Sequence, residues 1–126
     1  MDIVSAPGAP AAVGPYSHAV RVGGLLFCSG QVALDPAQAT LVGDDVAAQT
    51  EQVFANIRAV LAAAGATLAD VVKTTVYLDT MADFQAMNAV YGHAFGDHRP
   101  ARSTVAVDGL PLGALVEIEV TAAVGA

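Results

Sequence analysis

Beyond position 44 the apolar residues fall into two clear periods. Val46, Thr50, Val53, Ile57, Val60, Leu61 and Ala64 recur at the three- and four-residue steps of one helix face. Asp44-Asp45 precedes them as an N-terminal cap with negative charge at the favourable end, and Gly65 follows as a stop. Thr67 to Asp70 reads as a short turn, and the β-branched run Val71–Leu78 reads as a strand. Helical spacing returns over 82–95 in the stripe Phe84, Met87, Asn88, Tyr91 and Phe95, closed by Gly96-Asp97. Pro100 suits the opening of a strand, and the following residues alternate small or polar with apolar through Val107. Gly109, Pro111 and Gly113 make a turn into a last strand over 115–124.

The N-terminal third is punctuated by Gly and Pro. Pro7, Gly8, Pro10, Gly14 and Pro15 mark residues 5–15 as a loop or arm. A first strand is expected over 16–22, with Gly23-Gly24 as a hairpin turn. Leu25 to Ser29 reads as a short buried strand ended by Gly30 and Gln31, and 32–43 as a loop. The resulting order, β-β-α-β-α-β-β, predicts an α+β fold with a single mixed sheet and two helices on one face, in one domain spanning 1–126. In the last strand Val116, Ile118 and Val120 point one way, toward the helices. Leu115, Glu117, Glu119 and Thr121 point to the open face.

Composition decides what that open face meets. Apolar residues make up 55% of the 126 positions and charged residues 13%, too little charge to cover a monomer comfortably. The open face is therefore expected to pack against other copies of the chain. The net charge of −7 argues against a nucleic-acid partner. No apolar run reaches the ~20 residues of a membrane span. Met1 to Ser5 has neither the basic nor the apolar region of a leader, and the single cysteine excludes an internal disulfide, so a reducing cytoplasm is expected. Cys28 lies in an apolar run and reads as an inert thiol. His18, His93 and His98 lack metal-ligand spacing, so no metal is expected.

Among five Lys plus Arg, Arg102 stands out inside an apolar strand. A planar guanidinium there serves either as a clamp for a ligand carboxylate or as the partner of Glu117 or Glu119 in a salt bridge. Glu117 and Glu119 also suit proton handling. Tyr16 is either a ligand-facing tip or a core tyrosine. Ser29 is a site hydroxyl or a turn cap, and no Gly-x-Ser-x-Gly surrounds it. Asn88 is a site amide or a satisfied core amide.

Several motifs, taken in order, resemble the RidA (YjgF/YER057c/UK114) family. They are Ala11-Ala12-Val13-Gly14-Pro15-Tyr16, Cys28-Ser29-Gly30-Gln31, Val72–Leu78, Asn88 with Tyr91, Pro100-Ala101-Arg102-Ser103 and Val116-Glu117-Ile118-Glu119. The resemblance covers nearly the whole chain. It implies a chorismate-mutase-like fold, a homotrimer with sites between subunits, and hydrolysis of reactive 2-imino or 2-enamino acids to 2-keto acids and ammonia without a cofactor. It further implies that Arg102 binds the substrate carboxylate, with Glu117 as the second catalytic group. Tyr16, Ser29, Gly30, Asn88 and Thr104 then line the substrate. Two departures stand out: Thr104 occupies a position that is often cysteine in the family, and the 95–100 segment is short. A non-catalytic trimer that binds or senses small carboxylates, and an enzyme for one particular pathway imine, are the alternatives.

Overall fold

The computed structural model describes residues 1–125. Its elements are β1 (Asp2–Val4), β2 (Ala19–Val22), β3 (Leu25–Cys28), α1 (Val46–Ala63), β4 (Val71–Leu78), α2 (Phe84–Phe95), β5 (Ala101–Ala106) and β6 (Val116–Ala123). Single 3₁₀ turns lie at Leu68–Asp70, Met81–Asp83 and Pro111–Gly113. One six-stranded sheet runs β1-β2-β3-β6-β4-β5, antiparallel throughout except for the parallel β4–β5 pair. Both helices cover one face, and the expected α+β architecture holds.

The sequence order needs one correction. A further strand, β1, pairs with β2 at the sheet edge through Ile3 and Val20. Three residues ahead of a proline-rich arm are too few to show an alternating pattern. The next strand begins at Ala19 rather than Tyr16, because Ser17 and His18 are used to tie down the arm. The His18 imidazole accepts from the Ala6 N–H at 3.0 Å and donates from Nε2 to the Pro10 carbonyl at 2.7 Å.

The first helix forms where expected, for the expected reasons. Asp45 caps α1 by accepting from the Ala48 N–H at 2.8 Å. Val53, Phe54, Ile57, Val60 and Leu61 enter the core, where they meet Val71, Val76 and Leu78 of β4 and Val116, Ile118 and Val120 of β6. Two buried amides of α1 hold the loop that follows β3. Asn56 donates to the carbonyls of Val32 and Leu34, and Gln49 donates to the Gly43 carbonyl at 3.3 Å while also accepting from the Leu115 N–H ahead of β6. The second helix starts two residues later than its pattern, at Phe84, after the 3₁₀ turn capped by Thr80.

The strand β3 is not buried as a whole. Only Leu26 is enclosed; Leu25 and Phe27 point to the open face and are 40% and 47% exposed. Val22, Val72 and Val105 also lie exposed on the sheet. Past Cys28 the pairing with β6 resumes at Gln31↔Ile118 after Phe27↔Thr121, which leaves one extra residue on the β3 side. This bulge turns Ser29 and Gly30 outward, as bulges beside sites commonly do.

Candidate functional site

Register decides where each candidate residue points. Arg102 of β5 pairs with Thr74 of β4, and Thr74 is fully buried beneath α2, with its hydroxyl 2.7 Å from the Tyr91 hydroxyl. Arg102 therefore projects along the helix-covered face, at the sheet edge. There α2 presents Phe84, Asn88 and Tyr91, spaced i, i+4, i+7, as a shelf. The guanidinium donates from Nη1 to Asn88 Oδ1 at 2.7 Å, and its Cζ lies 4.6 Å from the Tyr91 ring centroid and 5.6 Å from that of Phe84. Aromatic stacking and a neutral amide orient the fork without cancelling its charge. Burial raises the Tyr91 hydroxyl above its ordinary pKa, against the pull of the Thr74 hydrogen bond and of the Arg102 and Arg99 charges. A cavity of about 440 Å³ opens beside this shelf, lined by Asn88, Tyr91, Gly92, Arg99, Pro100 and Arg102.

A second group gathers on the open face. Glu117 pairs with Tyr77 and Glu119 with Thr75, so both carboxylates lie opposite to the buried Val116, Ile118 and Val120. Burial, and then the charge of Glu119, raises the Glu117 carboxyl above the ordinary carboxylate range. Glu119 accepts from the Tyr77 hydroxyl in a short hydrogen bond. Gly30 abuts Glu117 so closely that a methyl group there would overlap the carboxylate. A cavity of about 470 Å³ is lined by Tyr16, Ser29, Gly30 and Glu117 among others, with Pro111 and Leu112 at its wall. Tyr16 is 52% exposed, so it is no core tyrosine. The Ser29 hydroxyl donates to the Ser17 carbonyl at 2.5 Å and so secures the arm that carries Tyr16.

The structure thus brings Tyr16, Ser29, Gly30 and Glu117 together, and Asn88 with Arg102, but it sets these two groups on opposite faces of the sheet. A salt bridge between Arg102 and Glu117 or Glu119 within one chain is ruled out by that register. Thr104 shares the Arg102 face, but its hydroxyl is buried without a hydrogen-bond partner and stands outside the lining of the Arg102 cavity. Tyr91, read from the pattern only as part of a core stripe, turns out to be the surface on which the guanidinium stacks. Arg99 also lines the Arg102 cavity, and its sequence signal is a second cation three residues before Arg102 in a chain with five. Cys28 is half-buried, and desolvation pushes its thiol up to about 11. Among the described residues no group of three His, Cys, Asp or Glu side chains could hold a metal ion, and no helix is long and apolar enough to cross a membrane.

An open mixed sheet, backed by two helices, with an edge arginine and carboxylates facing away from it, defines a class of small α+β proteins whose polar groups look outward. Residues 7–124 match the family model described as Endoribonuclease L-PSP, and the chain belongs to that family, the YjgF/RidA family. It is 46% identical over 121 residues to the RutC family protein PH0854 of Pyrococcus horikoshii, covering 96% of both chains. It is also 46% identical over 118 residues to the chloroplastic Reactive Intermediate Deaminase A of Arabidopsis thaliana, covering 94% of this chain and 63% of that one. Among solved structures, RidA from the Antarctic bacterium Psychrobacter sp. PAMC 21119 superposes with a TM-score of 0.93 at 43% identity, covering 98% of this chain and 99% of that one. The YjgF gene product of E. coli superposes with a TM-score of 0.92 at 39% identity, covering 98% of each chain.

Proposed function

We propose that the protein is a hydrolytic deaminase that converts 2-imino or 2-enamino acids to 2-keto acids and ammonia, at sites shared between copies of the chain. The observation that carries this reading is the Arg102 guanidinium, oriented by Asn88 and Tyr91 at an open cavity and left without a carboxylate partner. Such a fork is shaped for a ligand carboxylate. The plant relative named as a reactive intermediate deaminase supports the reaction class.

In the reaction, Arg102 holds the substrate carboxylate and positions the C=N carbon. A water molecule adds to that carbon, giving a carbinolamine, which expels ammonia as the carbonyl forms. The imine already reacts with water, so placement and proton transfer suffice. Glu117, with its raised carboxyl, suits the taking of a proton from the water and its return to the leaving nitrogen. Tyr16 closes over the ligand from the arm, and the bulge at Ser29-Gly30 leaves room for the carboxylate.

Within one chain Arg102 and Glu117 face apart, so this chemistry takes Arg102 from one protomer and Tyr16, Gly30 and Glu117 from the next. Exposed Val22, Leu25, Phe27 and Val105 on the sheet favour a homotrimer closed by the open faces. The net charge of −7 speaks against an RNA substrate. The test is to generate 2-iminobutanoate in situ with a dehydratase acting on threonine and to follow release of 2-ketobutanoate. The protein is expected to accelerate it, and Arg102→Ala to abolish the acceleration. Saturable binding of carboxylates with no acceleration would instead identify a binding module.

A further inference from the structure

Two of the chain's five cationic side chains, Arg99 and Arg102, line one cavity of about 440 Å³, and no carboxylate stands among its lining residues. Within one chain no lining carboxylate offsets this local positive charge, and a neighbour's Glu117 brought to Arg102 leaves Arg99 over. The two guanidinium groups are held differently. Arg102 is gripped by Asn88 and the Tyr91 ring. Arg99 donates from Nη1 to the Gly96 and His98 carbonyls, which pins its head at the cavity mouth beside the end of α2. Both charges pull the Tyr91 hydroxyl's pKa down, against its burial. Arg102 alone accounts for one carboxylate, and Arg99 is then left over.

We propose that the cavity is built for a dianion, and that the preferred substrates are 2-imino derivatives of four- or five-carbon dicarboxylic acids. Arg102 takes the carboxylate next to the imine carbon and Arg99 the distal one. This rests on the deaminase reading for the reaction but not for the ligand class. The chemistry is unchanged: water adds to C=N, ammonia leaves, and the product is a 2-keto dicarboxylic acid. The reaction class that must supply such a substrate is the two-electron oxidation of an amino dicarboxylic acid. A monocarboxylic imine uses only half of the charge present, and so is expected to be the poorer ligand.

The experiment compares 2-iminosuccinate, made in situ from aspartate by an amino-acid oxidase, with 2-iminopropanoate made from alanine in the same way. The readout is the ratio of their kcat/KM values, measured alongside calorimetric binding of succinate and propanoate. Wild type is expected to favour the diacid in both assays. Arg99→Ala should lower the ratio on the order of tenfold, as loss of charge-assisted hydrogen bonds does, and should narrow the gap between succinate and propanoate. Arg99→Gln keeps a donor for the Gly96 carbonyl but no charge. It should behave like Arg99→Ala, which separates charge from anchoring of the 96–98 turn. A ratio that is unchanged in both variants, or succinate binding no tighter than propanoate, overturns the proposal. If neither imine is hydrolysed faster than in buffer yet succinate binds tighter in an Arg99-dependent way, the ligand class stands and the deaminase reading falls.

Discussion

At the scale of single residues, the Arg102 guanidinium is oriented by the Asn88 amide and the Tyr91 ring, neither of which cancels its charge. Arg102 is legible because charge is scarce and the strand around it is apolar. Its support is not: Asn88 and Tyr91 sit on a helix stripe that looks like core until the register of β5 against β4 turns the guanidinium onto it. Arg102→Lys is expected to lower kcat/KM about 10- to 150-fold, because a point donor cannot replace the paired planar contact with a carboxylate; steady-state kinetics check this. Glu117 gives a prediction with two readouts. Its carboxyl is raised by burial and by Glu119, so the folded state holds its proton to higher pH than the unfolded chain does. Such a group costs stability as pH rises through its folded value, and the cost vanishes below the ordinary carboxylate range. Glu117→Gln should therefore melt a few degrees higher than wild type at neutral pH, and the gain should disappear in strong acid. The same variant should lose kcat rather than substrate affinity. A kcat near that of wild type would move the proton-transfer role to Glu119.

At the scale of elements, what was readable is what has a period. The helix α1 and the strands β4 and β6 carry long alternations or stripes, and their ends carry Asp45, Gly65 and Thr80 in capping or turn positions. The strand β1 leaves no signal in the sequence, because three residues contain no period, and its existence depends on the edge that β2 offers it. Apolar residues on both faces of β3 look like burial in the sequence, whereas one face lies open in the single chain. The bulge before Gln31 leaves no trace in hydrophobicity, yet it determines the relation of Gly30 to Glu117. Gly30→Ala tests that relation: the added methyl must displace the Glu117 carboxylate. Activity should fall at least about tenfold, as it does when a reacting group is misplaced, while the melting temperature stays within a few degrees of wild type. For α1, Asp45→Ala removes the acceptor for the Ala48 N–H and should cost about 1 kcal/mol in denaturant unfolding.

At the scale of the whole molecule, the sheet separates the two halves of the proposed site, and this separation makes a sharp test of where the site lies. Arg102 projects on the helix-covered face and Glu117 on the open one, so no rotamer change unites them in one chain. If the site is shared, one protomer gives its Arg102 and the next gives its Glu117. Arg102→Ala and Glu117→Gln homotrimers are then each inactive, since every site in each lacks one group. Dissociated, mixed in equal amounts and reassembled, they form hybrid rings. In a closed three-fold assembly about a quarter of the interfaces pair an intact Arg102 with an intact Glu117 by chance. The mixture should therefore recover about a quarter of wild-type activity, whereas the same variants mixed without dissociation should recover none. A site contained within a single chain predicts no recovery under either protocol, because every chain in the mixture carries one lesion. Phe27→Asp supplies the complementary arm. It places a charge on the apolar open face, where Phe27 is exposed in the isolated chain. The variant is expected to run as a folded monomer by light scattering and to be inactive although Arg102 and Glu117 are both present. Wild-type activity in a proven monomer would refute the shared site outright.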